Sequence, residues 1–206
     1  MNERQTGNPL LFGYDIAYTE HSHTSKSTDD LLLLDAERYR KMNEKRKLHH
    51  RSGVTALEMI FDPDFGDKAI ILEGRGGCIT RGEDVISCWS ISHTDYGAVA
   101  VLSASDSQIG VDMEPRGREV SDGALHEITG YNPGWSPPYR SNLRTWMAIE
   151  AISKALGYGL RISKDVVYSN GRWRYGELQW NLDFLDTVLG EVPHIVSVAS
   201  VIKEGP

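Results

Sequence analysis

The sequence predicts an α+β fold in two halves, each a helical segment combined with short antiparallel strands. Apolar runs rich in β-branched residues, such as Val85-Ile86-Ser87-Cys88-Trp89-Ser90-Ile91 and Ala98-Val99-Ala100-Val101-Leu102, are separated by glycine-rich turns, which is the pattern of antiparallel strands. Two longer segments, about 31–60 and 142–156, carry helical signals, and each belongs to a different set of strands. The boundary between the halves is drawn after residue 104, giving units 1–104 and 105–206.

In chain order, Leu10 to Tyr18 reads as a strand, and Ser27-Thr28-Asp29-Asp30 offers N-cap oxygens to a helical region from Leu31 to Ile60, with a break expected near Gly53. Ala69-Ile70-Ile71-Leu72 follows as a strand, then the Val85 and Ala98 runs. The second half opens with a strand from Ile109 to Glu114 and crosses a Gly- and Pro-rich stretch from Gly130 to Tyr139. The helix from Asn142 to Leu156 ends at Gly157, a suitable C-terminal cap. Asp165 to Tyr168, Arg172 to Tyr175 and Ile195 to Ile202 complete the strands.

Composition narrows the function classes. With 206 residues, 40% hydrophobic and 25% charged, the chain suits an ordinary globular protein. The formal net charge of -7 argues against nucleic acid as a partner of the whole surface. Met1 to Gln5 lacks the apolar core of a secretory signal, and Leu31 to Leu34 is too short to span a bilayer, so a cytoplasmic protein without a membrane partner is expected. Only Cys78 and Cys88 occur, without metal-ligand spacing, and both read as small apolar residues rather than a disulfide framework.

The chemistry concentrates in Gly110-Val111-Asp112-Met113-Glu114-Pro115 and in the helix that carries Trp146, Glu150, Lys154 and Gly157. Residues i and i+2 of a strand share a face, and residues i and i+4 of a helix share another, so Asp112, Glu114, Glu150 and Lys154 can converge. Three acids and a lysine suit a hard cation and a phosphate. Each feature also has a plainer reading. Asp112 and Glu114 fit the solvent face of an edge strand, Glu150 and Lys154 fit an i,i+4 ion pair worth only about 0.3–0.5 kcal/mol when exposed, and His93 fits a hydrogen-bonded turn. Trp146 reads as core, and His21, His23, His49 and His50 as surface residues.

Taken in order, Trp89-Ser90-Ile91-Ser92-His93-Thr94, then Gly110 to Glu114, then Trp146-x-x-x-Glu150-Ala151-x-x-Lys154-x-x-Gly157 resemble the three motifs of the 4'-phosphopantetheinyl transferase superfamily in its long, single-chain form. The segment from Glu37 to Arg51 is similar to the helix that precedes them. The resemblance implies two pseudo-symmetric halves, each a helix packed on a small antiparallel sheet, with coenzyme A in the cleft between them. It implies transfer of the phosphopantetheine arm to a serine of an acyl or peptidyl carrier protein by a monomer. Asp112, Glu114 and Glu150 would then hold Mg2+, Glu150 and Lys154 would serve the chemistry, and His93, Ser92, Thr94, Arg51 and Lys154 would contact the coenzyme. An acidic carrier would dock through an apolar contact framed by Arg116, Arg118, Arg140 and Arg144.

Three positions depart from the family pattern. Ile149 stands where a lysine is usual, Gly74-Arg75-Gly76-Gly77 replaces a glycine-lysine-proline segment, and Ser90 replaces an asparagine. Isoleucine can neither hold a phosphate nor donate a hydrogen bond. A second reading follows: a relative that binds a carrier protein or coenzyme-linked ligand without transferring the arm, or that runs a different reaction on a carrier-bound intermediate.

Overall fold

A computed structural model describes residues 13–23, 36–61, 76–81, 84–130 and 138–202. The expected strand at Ala69 to Leu72, the N-cap cluster at Ser27 to Asp30, and Arg75 lie outside the described residues. The chain is α+β, with two antiparallel sheets and helices against each.

The first sheet contains β1 (Tyr14–Glu20), β2 (Gly76–Arg81), β3 (Asp84–His93) and β4 (Gly97–Ser103) in the order β1-β4-β3-β2. The second contains β5 (Ile109–Pro115), β6 (Val167–Ser169), β7 (Arg172–Tyr175), β8 (Leu178–Leu189) and β9 (Val192–Val201) in the order β5-β9-β8-β7-β6. Both sheets therefore set their first strand beside their last. The helices are α1 (Ala36–Arg40), α2 (Glu44–Ile60), α3 (Asp122–Thr129) and α4 (Asn142–Ala155). Among the described residues no helix is long and apolar enough to cross a membrane.

The helical region expected from Leu31 to Ile60 breaks before Asn43 rather than near Gly53. Asn43 is an N-cap whose side chain accepts from the Arg46 N–H at 2.9 Å, so α2 starts afresh there. Gly53 lies inside α2, where a Cβ would come within 2.7 Å of Ile91 Cγ2. Its role is close helix-to-sheet packing, which outweighs its poor helix propensity. At the other helix, Gly157 follows the cap residue Leu156 with φ +76°, and its N–H donates to the Lys154 carbonyl, closing α4 as expected.

Alternation along the strands divides the interior. Tyr14, Ile16, Tyr18, Val99 and Val101 of the first sheet pack against Ile109, Val111, Met113, Val196 and Val198 of the second, forming one core between the sheets. The opposite face of the first sheet is covered by Val54, Leu57 and Ile60 of α2. That of the second sheet is covered by Ala148, Ile149, Ala151 and Ile152 of α4. Cys78 and Cys88 face each other across β2 and β3 as thiols, with Sγ atoms 2.7 Å apart. Its hydrogen bond with Cys88 brings the Cys78 thiol down to about 7.

Where the sheets meet, β5 pairs with β9 on one side and meets serine side chains of β3 on the other. The Val111 N–H donates to Ser90 Oγ and the Met113 N–H to Ser92 Oγ, each at 3.2 Å. Two hydroxyls thus satisfy backbone donors that a strand edge would leave buried and unpaired.

Candidate metal centre and adjoining cavity

Three carboxylates converge on the seam. Carboxylate oxygens of Asp112, Glu114 and Glu150 lie within 4.8 Å of one another. Gly110 makes this possible: a Cβ there would come within 2.0 Å of the Ala151 carbonyl oxygen, so only glycine lets α4 rest directly on β5. With Ile109, Val111 and Met113 turned into the shared core, Asp112 and Glu114 face the helix that carries Glu150 and Lys154.

Lys154 is buried with them. Its Nζ donates to Asp112 Oδ1 at 2.7 Å and to Ser92 Oγ at 2.9 Å, and lies 3.7 Å from Glu150 Oε1. Ser92 in turn donates to Asp112 Oδ1 at 3.2 Å. This is not the exposed i,i+4 pair of the plainer reading. Removing either member would strand a buried charge at a cost of about 3–5 kcal/mol. Asp112 Oδ2 is buried with no hydrogen-bond partner among the described residues. A carboxylate oxygen left bare beside two more carboxylates fits a hard divalent cation, which takes oxygen ligands and keeps several waters.

Glu114 is pushed up to about 7, chiefly by burial and then by Asp112 and Glu150, against the opposing pull of Arg118 and Lys154. Arg118 donates to Glu114 Oε1. Its guanidinium lies over the Trp146 ring, 5.3 Å from the centroid, while Trp146 Nε1 donates to Glu150 Oε2 at 2.9 Å. Trp146, expected as core, is half-buried and holds a carboxylate in place.

The carboxylates open on a cavity of about 430 Å³. Its α1–α2 side carries Lys41, Arg46, His49, His50 and Met42, and its floor includes Trp89, Ile91 and Met113. His21 stacks on His49 at 5.1 Å, and His49 lies 4.4 Å from the exposed His93 ring. Burial lowers the titration of both His21 and His49, with Asp95 opposing, so both favour the neutral form.

Of the residues singled out by sequence, Asp112, Glu114, Glu150, Lys154, Ser92 and His93 line this cavity together. Arg51 and Thr94 are not among the residues lining it. Arg51 Nε is buried without a hydrogen-bond partner among the described residues, and Thr94 Oγ1 turns to His194 Nε2 at 3.1 Å. The surface assignment of His21, His49 and His50 is corrected: His49 is buried, His21 and His50 are half-buried, and His49 and His50 line the cavity. The signal for them was a helical stripe, since Arg46, His49, His50 and Val54 recur at spacings of three and four.

A second, more open groove of about 790 Å³ lies on the far side of Trp146 and Arg118, lined also by Val120, Ser121, Arg140 and Leu143. Of the four arginines proposed to frame a docking surface, Arg116 pairs with Asp186 and Arg144 lies over Phe184, 5.1 Å from its centroid. Ile149 is fully buried in the apolar cluster that includes Val166, Trp173 and Trp180, so its side chain serves the core of the second sheet.

No protein-family model matches the chain, and no curated protein matches it in sequence.

Proposed function

We propose that the protein transfers the 4'-phosphopantetheine arm of coenzyme A to a serine of an acyl or peptidyl carrier protein, with magnesium as the cation. The observation that carries this reading is one cavity with three carboxylates on its β5–α4 side and Lys41, Arg46, His49, His50 and His93 on its walls. A phosphorylated nucleotide with a pyrophosphate needs both: cations such as Lys41 and Arg46 and hydrogen-bonding imidazoles for its phosphates, and acids that bind the cation shielding the reacting pyrophosphate. The shared strand order of the two sheets supports reading the halves as pseudo-symmetric, with the coenzyme held between them. A cytoplasmic location belongs to the same reading.

Asp112, Glu114 and Glu150 would hold Mg2+, whose contribution is to neutralise charge on the phosphate oxygens. In this scheme the serine oxygen bonds to the phosphorus that carries the pantetheine arm, the bond from that phosphorus to the bridging oxygen breaks, and the nucleotide phosphate departs with that oxygen and the electron pair. Glu150 receives the serine proton. Lys154 fixes Asp112 and stands beside the developing negative charge, while Ser92 orients both. Apolar Trp89, Ile91, Val54 and Met113 keep the reacting region dry.

The second reading, binding without transfer, draws support from Ile149, whose apolar surroundings leave no room for a phosphate-binding donor at that position. One assay separates the two. The protein is incubated with coenzyme A, Mg2+ and a panel of apo-carrier proteins, and the carriers are weighed intact. Transfer by the wild type and its loss in Asp112→Ala are expected. Coenzyme binding by calorimetry with no mass gain on any carrier would select the binding protein instead.

A further inference from the structure

Arg118 and Trp146 belong to two places at once. Both line the open groove, and each also holds one carboxylate of the cluster: Arg118 holds Glu114 Oε1, and Trp146 Nε1 holds Glu150 Oε2 at 2.9 Å. The guanidinium and the indole are themselves stacked at 5.3 Å. Among the described residues, the three carboxylates of the cluster face the side-chain cations Lys154 and Arg118. A divalent ion bound there competes with these cations for the carboxylate oxygens.

The two cations are not equally able to leave. The Lys154 side chain is 5% exposed and tied to both Asp112 and Ser92, so losing its partners would bury an unpaired ammonium. The Arg118 side chain is 40% exposed, on the turn beyond β5 with the groove beside it, so its guanidinium can leave the 13% exposed Glu114 for water rather than for a buried, unpaired position. Resting on the reading of the carboxylates as a metal site, we infer that Arg118 is a displaceable counter-ion: it occupies Glu114 in the metal-free protein and turns into the groove when the three carboxylates take a divalent cation. Arg118 is thus a positioning residue. By linkage, a groove ligand that captures its guanidinium strengthens cation binding, and the converse holds equally.

The test uses the full chain and Mg2+ alone, without coenzyme or carrier. Calorimetry on Arg118→Gln should show Mg2+ binding at least about fivefold tighter than wild type, since one partner of the ion pair that the cation displaces is shielded from water. Arg118→Lys, which keeps the charge, should return the affinity toward that of wild type. Mg2+ should also change tryptophan emission in the wild type, and the part contributed by Arg118 leaving the Trp146 ring should be lost in Arg118→Gln, so that the two proteins differ in the size of the change. Equal or weaker Mg2+ binding by Arg118→Gln overturns the inference, as does an emission change identical in the two proteins. Failure of Mg2+ to bind any of these proteins overturns the metal reading along with it. Tighter binding by Arg118→Gln with no arm transfer to any carrier sustains the inference and rejects the transferase reading alone.

Discussion

Glu114 shows how a single side chain is placed against its own preference. Burial and the neighbouring Asp112 and Glu150 raise its titration from 4.5 to about 7, even with Arg118 bound to one oxygen. The folded protein then holds the proton more tightly than the unfolded chain, so this group favours the fold at pH below its unfolded value. That contribution is lost as pH rises through about 7. Glu114→Gln removes the penalty. The variant should be more stable than wild type by about 1 kcal/mol at pH 8, with the gap closing toward pH 5. Urea titrations at four pH values across that range check it, and a gap that does not vary with pH would refute the account. At this scale the sequence was legible wherever one local period sufficed: Asp112 with Glu114 by the strand period, and Glu150 with Lys154 by the helix period. Arg118 reads only as a docking charge because its grip on Glu114 depends on how the turn after β5 folds back, whereas Trp146 reads as core although the helix period already sets it beside Glu150.

β5 and α4 owe their alignment to Gly110. A methyl group there meets backbone, the Ala151 carbonyl oxygen and the Ala155 nitrogen, rather than a side chain that can rotate away. Gly110→Ala should therefore push α4 off the strand and destabilise the protein by about 3 kcal/mol, the upper end for overpacking a tight contact. It should also abolish Mg2+ binding although every carboxylate remains. Paired measurements of the denaturation midpoint and of Mg2+ binding decide this, and a stable variant with wild-type affinity would show that the contact does not set the site. Elements with plain apolar runs or clean caps were legible: β3, β4, β5, β7, β9 and α4 lie close to their expected positions. Those missed had mixed signals. β8 alternates with Asn181, Asp183 and Asp186 and is only partly buried, so it lacks a continuous apolar stretch. β2 begins in glycines that read as a turn, and α3 is too short for a clear helical period.

The two sheets cannot be regarded as independent, because they share one apolar core and the serine-bridged seam of β3 and β5. This arrangement has a consequence for the whole molecule. The carboxylates come from the second sheet and its helix, while Arg46, His49 and His50 come from α2 against the first sheet and Lys41 from the turn before α2, so any ligand spanning the cavity binds only when both halves are folded. Such a ligand should raise the unfolding temperature of the entire chain in one transition, without splitting off a less stable half. On the proposed function that ligand is coenzyme A with Mg2+, which at about a hundred times its dissociation constant should contribute about 2.7 kcal/mol. For a chain of this size that corresponds to a shift of about 5–10 °C. Asp112→Ala should lose the shift, since the coenzyme then meets two carboxylates beside a buried Lys154 that has lost its 2.7 Å partner. Calorimetric scans with and without both ligands measure it. Two separated transitions, with only the later one moved by ligand, would place the binding site within one half and contradict the shared cavity as the site of function.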